Sequence, residues 1–97
     1  MKLVMAIVQA EDADRAVKAL IGQEYRVTRF NTVGGFLRKG NVTLLTAVQP
    51  EQVEQVIQTL RSTCQRRPVD QAKGDGSGRE VSRAALFVLN VPQSYQL

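Results

Sequence analysis

Ile7-Val8-Gln9-Ala10-Glu11 returns forty residues later as Ala47-Val48-Gln49-Pro50-Glu51. In each copy an apolar run gives way to an acid-led amphipathic one, so each reads as a strand-to-helix junction. Upstream of the first copy, Lys2–Gln9 is a nearly continuous apolar run and predicts a strand. Downstream, Ala13, Ala16, Val17, Leu20 and Ile21 recur at helical spacing and predict a helix over Glu11–Ile21. Glu11, Asp12 and Asp14 fall near its start, where acids suit the helix dipole, and Gly22 is the expected stop. The second copy closes a strand over Asn41–Gln49. Pro50 then opens a helix at a position where its missing N–H leaves nothing unpaired. Val53, Val56, Ile57, Leu60 and Cys64 form that helix's apolar stripe. Tyr25–Val33, rich in Val, Thr, Tyr and Phe, predicts a strand between the halves, and Glu80–Val91 a last one. The order is β-α-β-β-α-β. Two right-handed β-α-β units joined in this way predict a ferredoxin-like α+β sandwich, an antiparallel four-stranded sheet with two helices on one face.

The 97 residues form one domain, 1–97, with no room for a second core. Residues 65–79 hold Pro68, Gly74, Gly76 and Gly78 with almost no apolar content, and read as a flexible loop. There is no His and one Cys. Most hydrolytic triads, His-ligated metals and Cys-x-x-Cys sites are thereby excluded, so the expectation is no enzyme, no catalytic residue, no metal and no cofactor. Asp12 and Asp14 stand two apart on a helix and point to different sides, so they are no acid–base pair. Cys64, on the apolar stripe, reads as core.

Thirteen Lys and Arg against nine Asp and Glu leave +4. Residues 1–60 hold seven bases and six acids; residues 61–97 hold six bases and three acids. Arg61, Arg66 and Arg67 gather where the second helix ends and complement its carbonyls. No dense basic stripe interleaved with aromatics exists, which argues against a nucleic-acid polymer as partner. The apolar run after Met1 is short and meets acids at Glu11 and Asp12, unlike a secretory leader. No stretch approaches the roughly 20 apolar residues of a membrane span. A soluble, cytoplasmic protein without membrane insertion is expected.

A half-exposed strand should alternate apolar and polar residues. Residues 3–8, 42–48 and 84–89 do not, so both faces of the sheet are apolar and a 97-residue chain has nothing spare to cover the second. The expected cover is another copy of the chain in a closed symmetric oligomer.

The stretch Arg26-Val27-Thr28-Arg29-Phe30-Asn31-Thr32-Val33-Gly34-Gly35-Phe36-Leu37-Arg38-Lys39-Gly40-Asn41-Val42-Thr43 combines paired glycines, an aromatic, four bases and side chains capable of directional hydrogen bonds. Paired glycines let backbone N–H groups converge on an anion, bases neutralise phosphate, and Phe36 offers a face to a nucleobase. Neither GxxxxGK[ST] nor GxGxxG is present, so this is no P-loop or dinucleotide fingerprint.

The run Thr32–Thr43, with Met1–Gln9, Arg26-Val27-Thr28 and the tail from Phe87-Val88-Leu89 to Gln96, resembles the PII-like cyclic-di-AMP receptor family of bacteria. The resemblance covers residues 1–67 and 81–97. It implies a ferredoxin-like, PII-like homotrimer that binds cyclic-di-AMP between subunits and relays it by loop rearrangement to a protein effector. The matching ligand-binding positions are Arg26, Thr28, Gly35, Phe36, Leu37, Asn41, Phe87 and Gln96. Arg26 would neutralise a phosphodiester, Gly35, Phe36 and Leu37 would supply backbone bonds and an apolar wall, Thr28 and Asn41 would bond base or sugar, and Phe87 and Gln96 would close the site. The chain departs from the family pattern at Glu24, Ala47, Ser82-Arg83 and in the short 65–79 segment. Those departures favour the alternative reading, a PII-like trimeric interaction module that senses another nucleotide or none.

Overall fold

The computed structural model describes residues 1–32, 40–64, 67–68, 80–81 and 84–97. The elements are β1 (Lys2–Gln9), α1 (Ala10–Gly22), β2 (Thr28–Thr32), β3 (Asn41–Val48), a 3-10 turn (Pro50–Gln52), α2 (Val53–Thr63), β4 (Arg67–Pro68), β5 (Glu80–Val81) and β6 (Ala84–Asn90). The main sheet runs β2-β3-β1-β6 with every neighbouring pair antiparallel. Each first strand of a half is thus central and each second strand lies at an edge, as expected of the βαββαβ sandwich.

The period of two along the strands sorts the sheet into two faces. Val4, Ala6 and Val8 of β1 stand beside Thr46, Leu44 and Val42 of β3 and face the helices. They meet Ala13, Ala16 and Leu20 of α1 and Val56 and Leu60 of α2, and Cys64 closes the same core. The helices are also tied by polar contacts. Arg15 donates through Nε to the Thr63 carbonyl (2.9 Å) and pairs with buried Asp12 (2.8 Å). The Tyr25 hydroxyl donates to Gln55 Oε1, and Thr59 Oγ1 reaches Gln23 Oε1 at 3.0 Å.

Several predicted boundaries shift for identifiable reasons. The helix after the first junction starts at Ala10, whose N–H is held by the Gly40 carbonyl (2.9 Å). Its left-handed stop is not Gly22 but Glu24, at φ 71°. Tyr25 N–H reaches the Leu20 carbonyl (3.1 Å) and Glu24 N–H the Ile21 carbonyl (2.9 Å), the paired bonds of a Schellman cap. Tyr25 therefore belongs to the helix end, and β2 begins at Thr28 rather than at residue 25. Asp14 lies beyond the first turn, where only Glu11 and Asp12 stand. It pairs instead with Arg29 of β2. Arg67–Pro68 and Glu80–Val81 form a separate antiparallel ribbon, so the last strand is interrupted and these two residues of the expected 65–79 loop are strand. The rest of that segment, 65–66 and 69–79, lies outside the described residues.

Two expectations follow from the polar groups. Thr46 is buried on the helix-facing side, and its Oγ1 has no hydrogen-bond partner. Thr46→Val keeps the shape and removes an unpaired hydroxyl, so urea melts should show a gain of about 1 kcal/mol. The hydrogen bond and charge of Arg29 hold the exposed Asp14 carboxyl below its usual range. A depressed carboxylate stabilises the fold above its unfolded pKa, and the contribution is lost as pH falls through the folded value. Because the pair is exposed, Asp14→Asn should leave stability at neutral pH nearly unchanged and should flatten the acid side of the stability–pH curve slightly.

Candidate functional site

The face of the sheet away from the helices carries the described candidates that lie in strands. Strand register aligns Thr28 of β2 with Leu45 of β3, Leu45 with Met5 of β1, and Met5 with Phe87 of β6. These four residues form one row across the sheet, all on the open face. Thr28 and Phe87 end that row on opposite edges, separated by three strand spacings, or about 14 Å. Asn41 lies on the same face, four residues along β3 from Leu45, beside Gln9 of β1 and Thr32 of β2. That offset is about 13 Å along the strand.

Thr28, Asn41 and Phe87 are therefore spread over one face of the chain rather than gathered. Arg26 is exposed and precedes β2 by two residues. Among the described residues no acid or acceptor pairs with its guanidinium. Thr28 is exposed at the start of β2. Asn41 is buried, and its Oδ1 has no hydrogen-bond partner. Phe87 is 41% exposed on an edge strand, and Gln96 is exposed in the tail after β6. Gly35, Phe36 and Leu37 lie outside the described residues, as do Ser82 and Arg83.

An unpaired amide oxygen in a buried position carries a desolvation penalty of about 1–3 kcal/mol until a donor reaches it. An exocyclic amine of a nucleobase is such a donor. At the other corner, a free guanidinium offers a fork that fits a phosphodiester. Between them lie Phe30, which is exposed, and Leu45 and Thr43 of β3; beyond these toward the β6 edge the same face is apolar, with Leu3 and Met5 partly buried and Phe87 and Leu89 exposed. Positive charge, an apolar floor and a directed acceptor are the groups that charge, base and amine of a nucleotide require.

Sequence reading passed over two residues that this face exposes to attention. Phe30, two residues from Thr28 on the same face, is 43% exposed, and its alternation with Thr28 and Thr32 was the available signal. Gln9, fully buried beside Asn41, stood out only as the constant glutamine of the repeated junction.

Among the described residues no cluster of three or more Cys, Asp or Glu is placed to hold a metal, and no helix is long and apolar enough to cross a membrane. A family model described as cyclic-di-AMP receptor matches residues 1–97, the whole chain. Among solved structures, the fold is similar to the crystal structure of a functionally unknown protein from Pediococcus pentosaceus ATCC 25745. The TM-score is 0.76 at 31% identity, covering 99% of this chain and 96% of that one.

Proposed function

Because the chain belongs to the cyclic-di-AMP receptor family, we propose that it binds cyclic-di-AMP at sites shared between neighbouring copies of itself and relays occupancy to a protein effector. The observation that carries the shared site is the row from Thr28 to Phe87. Its two ends sit on opposite edges of one sheet, and the two central strands, β3 and β1, separate them. When copies pack their open faces around a common axis, the β2 edge of one protomer meets the β6 edge of the next. Arg26 and Thr28 of the first then stand against Phe87 and Gln96 of the second, and a homotrimer carries three such sites. The same packing covers the apolar face that one chain leaves open.

Each residue has a role in that arrangement. Arg26 pairs a phosphodiester oxygen through its fork. The Asn41 amide oxygen accepts from an adenine amine, and Thr28 bonds base or sugar. Phe87 covers a base from the adjoining protomer, with Gln96 at the rim. Gly35, Phe36 and Leu37, adjoining Asn41 in sequence, supply backbone donors and an apolar wall. Binding is not followed by bond breaking: the ligand is held and released unchanged, and the protein acts in the cytoplasm. The signal arises because ligand favours one arrangement of the loops beside the site over others. The effector reads that arrangement.

Calorimetric titration of the purified protein with cyclic-di-AMP tests the reading. Saturable heat at one ligand per chain, a thermal shift, and a three-chain mass by light scattering are expected. No heat and no thermal shift at saturating ligand remove cyclic-di-AMP as the ligand while leaving the fold intact.

A further inference from the structure

Glu24 is the sole non-glycine residue with positive φ among those described. A side chain in the left-handed region costs about 1–2 kcal/mol, and the C′ position of a Schellman cap is usually glycine or asparagine for that reason. Nothing visible offsets this at Glu24. The residue is exposed, and among the described residues its carboxylate has no hydrogen bond and no ion pair. The backbone there is nevertheless firmly set, because the N–H groups of Gln23, Glu24 and Tyr25 are all bonded back into α1 at 2.9–3.1 Å. Tyr25 is then anchored in the core. The Cα of an acidic residue is thus fixed two positions before Arg26, whose guanidinium is likewise without a partner among the described residues.

We propose that Glu24 is a specificity-determining residue of the nucleotide site, an electrostatic selector that weakens binding of every anion and weakens it more as the ligand's charge rises. The proposal rests on the placement of the ligand's phosphate at Arg26. A carboxylate beside that position cancels part of the arginine's field. Its repulsion scales with the charge brought in, so a cyclic dinucleotide, a dianion, is penalised about half as much in free energy as a nucleoside triphosphate, a tetra-anion. Specificity then comes from an element that works against the competitor more than against the ligand.

Glu24→Gln removes the charge and keeps the strained backbone. Glu24→Gly removes both. Cyclic-di-AMP and magnesium-free ATP should be titrated against the full-length protein and both variants at low and at moderate salt. Glu24→Gln is expected to tighten cyclic-di-AMP binding about threefold and ATP binding about tenfold at low salt, with both gains shrinking as salt rises. Glu24→Gly should reproduce those gains and melt higher as well, whereas Glu24→Gln should melt with the wild type. Wild-type binding of cyclic-di-AMP that Glu24→Gln leaves unchanged, or equal gains for both ligands, overturn the selector and leave the receptor reading standing. Absence of cyclic-di-AMP binding by all three proteins overturns both.

Discussion

Leu44→Ala is expected to lower the unfolding free energy by about 3 kcal/mol, within the usual range for a buried leucine. Leu44 is 1% exposed in the middle of β3, the strand held between β2 and β1. Its cross-strand neighbours are Ala6 on one side and Arg29 on the other, and it points toward the helices. Ladders on both sides fix its backbone, and Ala6 has no spare bulk to lean into the gap. The cavity therefore stays open and the loss exceeds the transfer free energy of the removed carbons. A chain of this length has a total stability of about 5–15 kcal/mol, so roughly a fifth to three-fifths of it rests on this side chain. At about 4–8 °C per kcal/mol the melting temperature should fall by roughly 12–24 °C. Protein concentration must be held constant across the comparison, because assembly raises apparent stability by mass action. Calorimetric melts showing a drop under about 1 kcal/mol would contradict the placement of Leu44 at the centre of the core.

Arg26→Ala is expected to weaken cyclic-di-AMP binding by about 1.5–3 kcal/mol, or roughly ten- to a hundredfold. Arg26 is exposed, outside the hydrophobic core and without a partner among the described residues. Its removal should leave the melting temperature of the free protein unchanged within about 0.5 kcal/mol while cutting the ligand-induced shift. Arg26→Lys keeps the charge but loses the planar fork, so its affinity should fall between the two. Unchanged affinity in Arg26→Ala would remove the residue from the site. A lowered melting temperature without ligand would assign it a structural role instead.

The sheet and both helices were legible because apolar content and spacing report burial. β1 is a nearly continuous apolar run, of which Val4, Ala6 and Val8 face the helices, and Ala13, Ala16 and Leu20 recur at helical spacing. The ends were less legible because hydrogen bonds from distant residues decide them. Gly22 has the composition of a stop, yet the turn closes at Glu24 once Tyr25 enters the core. Glu80–Val81 has the composition of a strand, yet it pairs with Arg67–Pro68 and not with β1. For the site, residue types were legible and their grouping was not. Thr28 and Phe87 are fifty-nine positions apart in sequence, and nothing in either neighbourhood indicates that they share a row and a face. For Asn41 the residue type alone offers only a hydrogen-bonding side chain, and the unpaired Oδ1 at a buried position is what favours a ligand contact.

In the proposed assembly each ligand is held by Arg26 of one protomer and Phe87 of its neighbour. Arg26→Ala and Phe87→Ala proteins carrying different affinity tags can be co-expressed and purified through both tags. In a mixed trimer, one interface of three joins an intact Arg26 to an intact Phe87. Calorimetry with cyclic-di-AMP should show the weak binding of each variant alone replaced, in the mixture, by one wild-type-affinity site per trimer. If both variants alone bind weakly and the mixed trimers recover nothing, the ligand lies across a single chain and the shared site is contradicted.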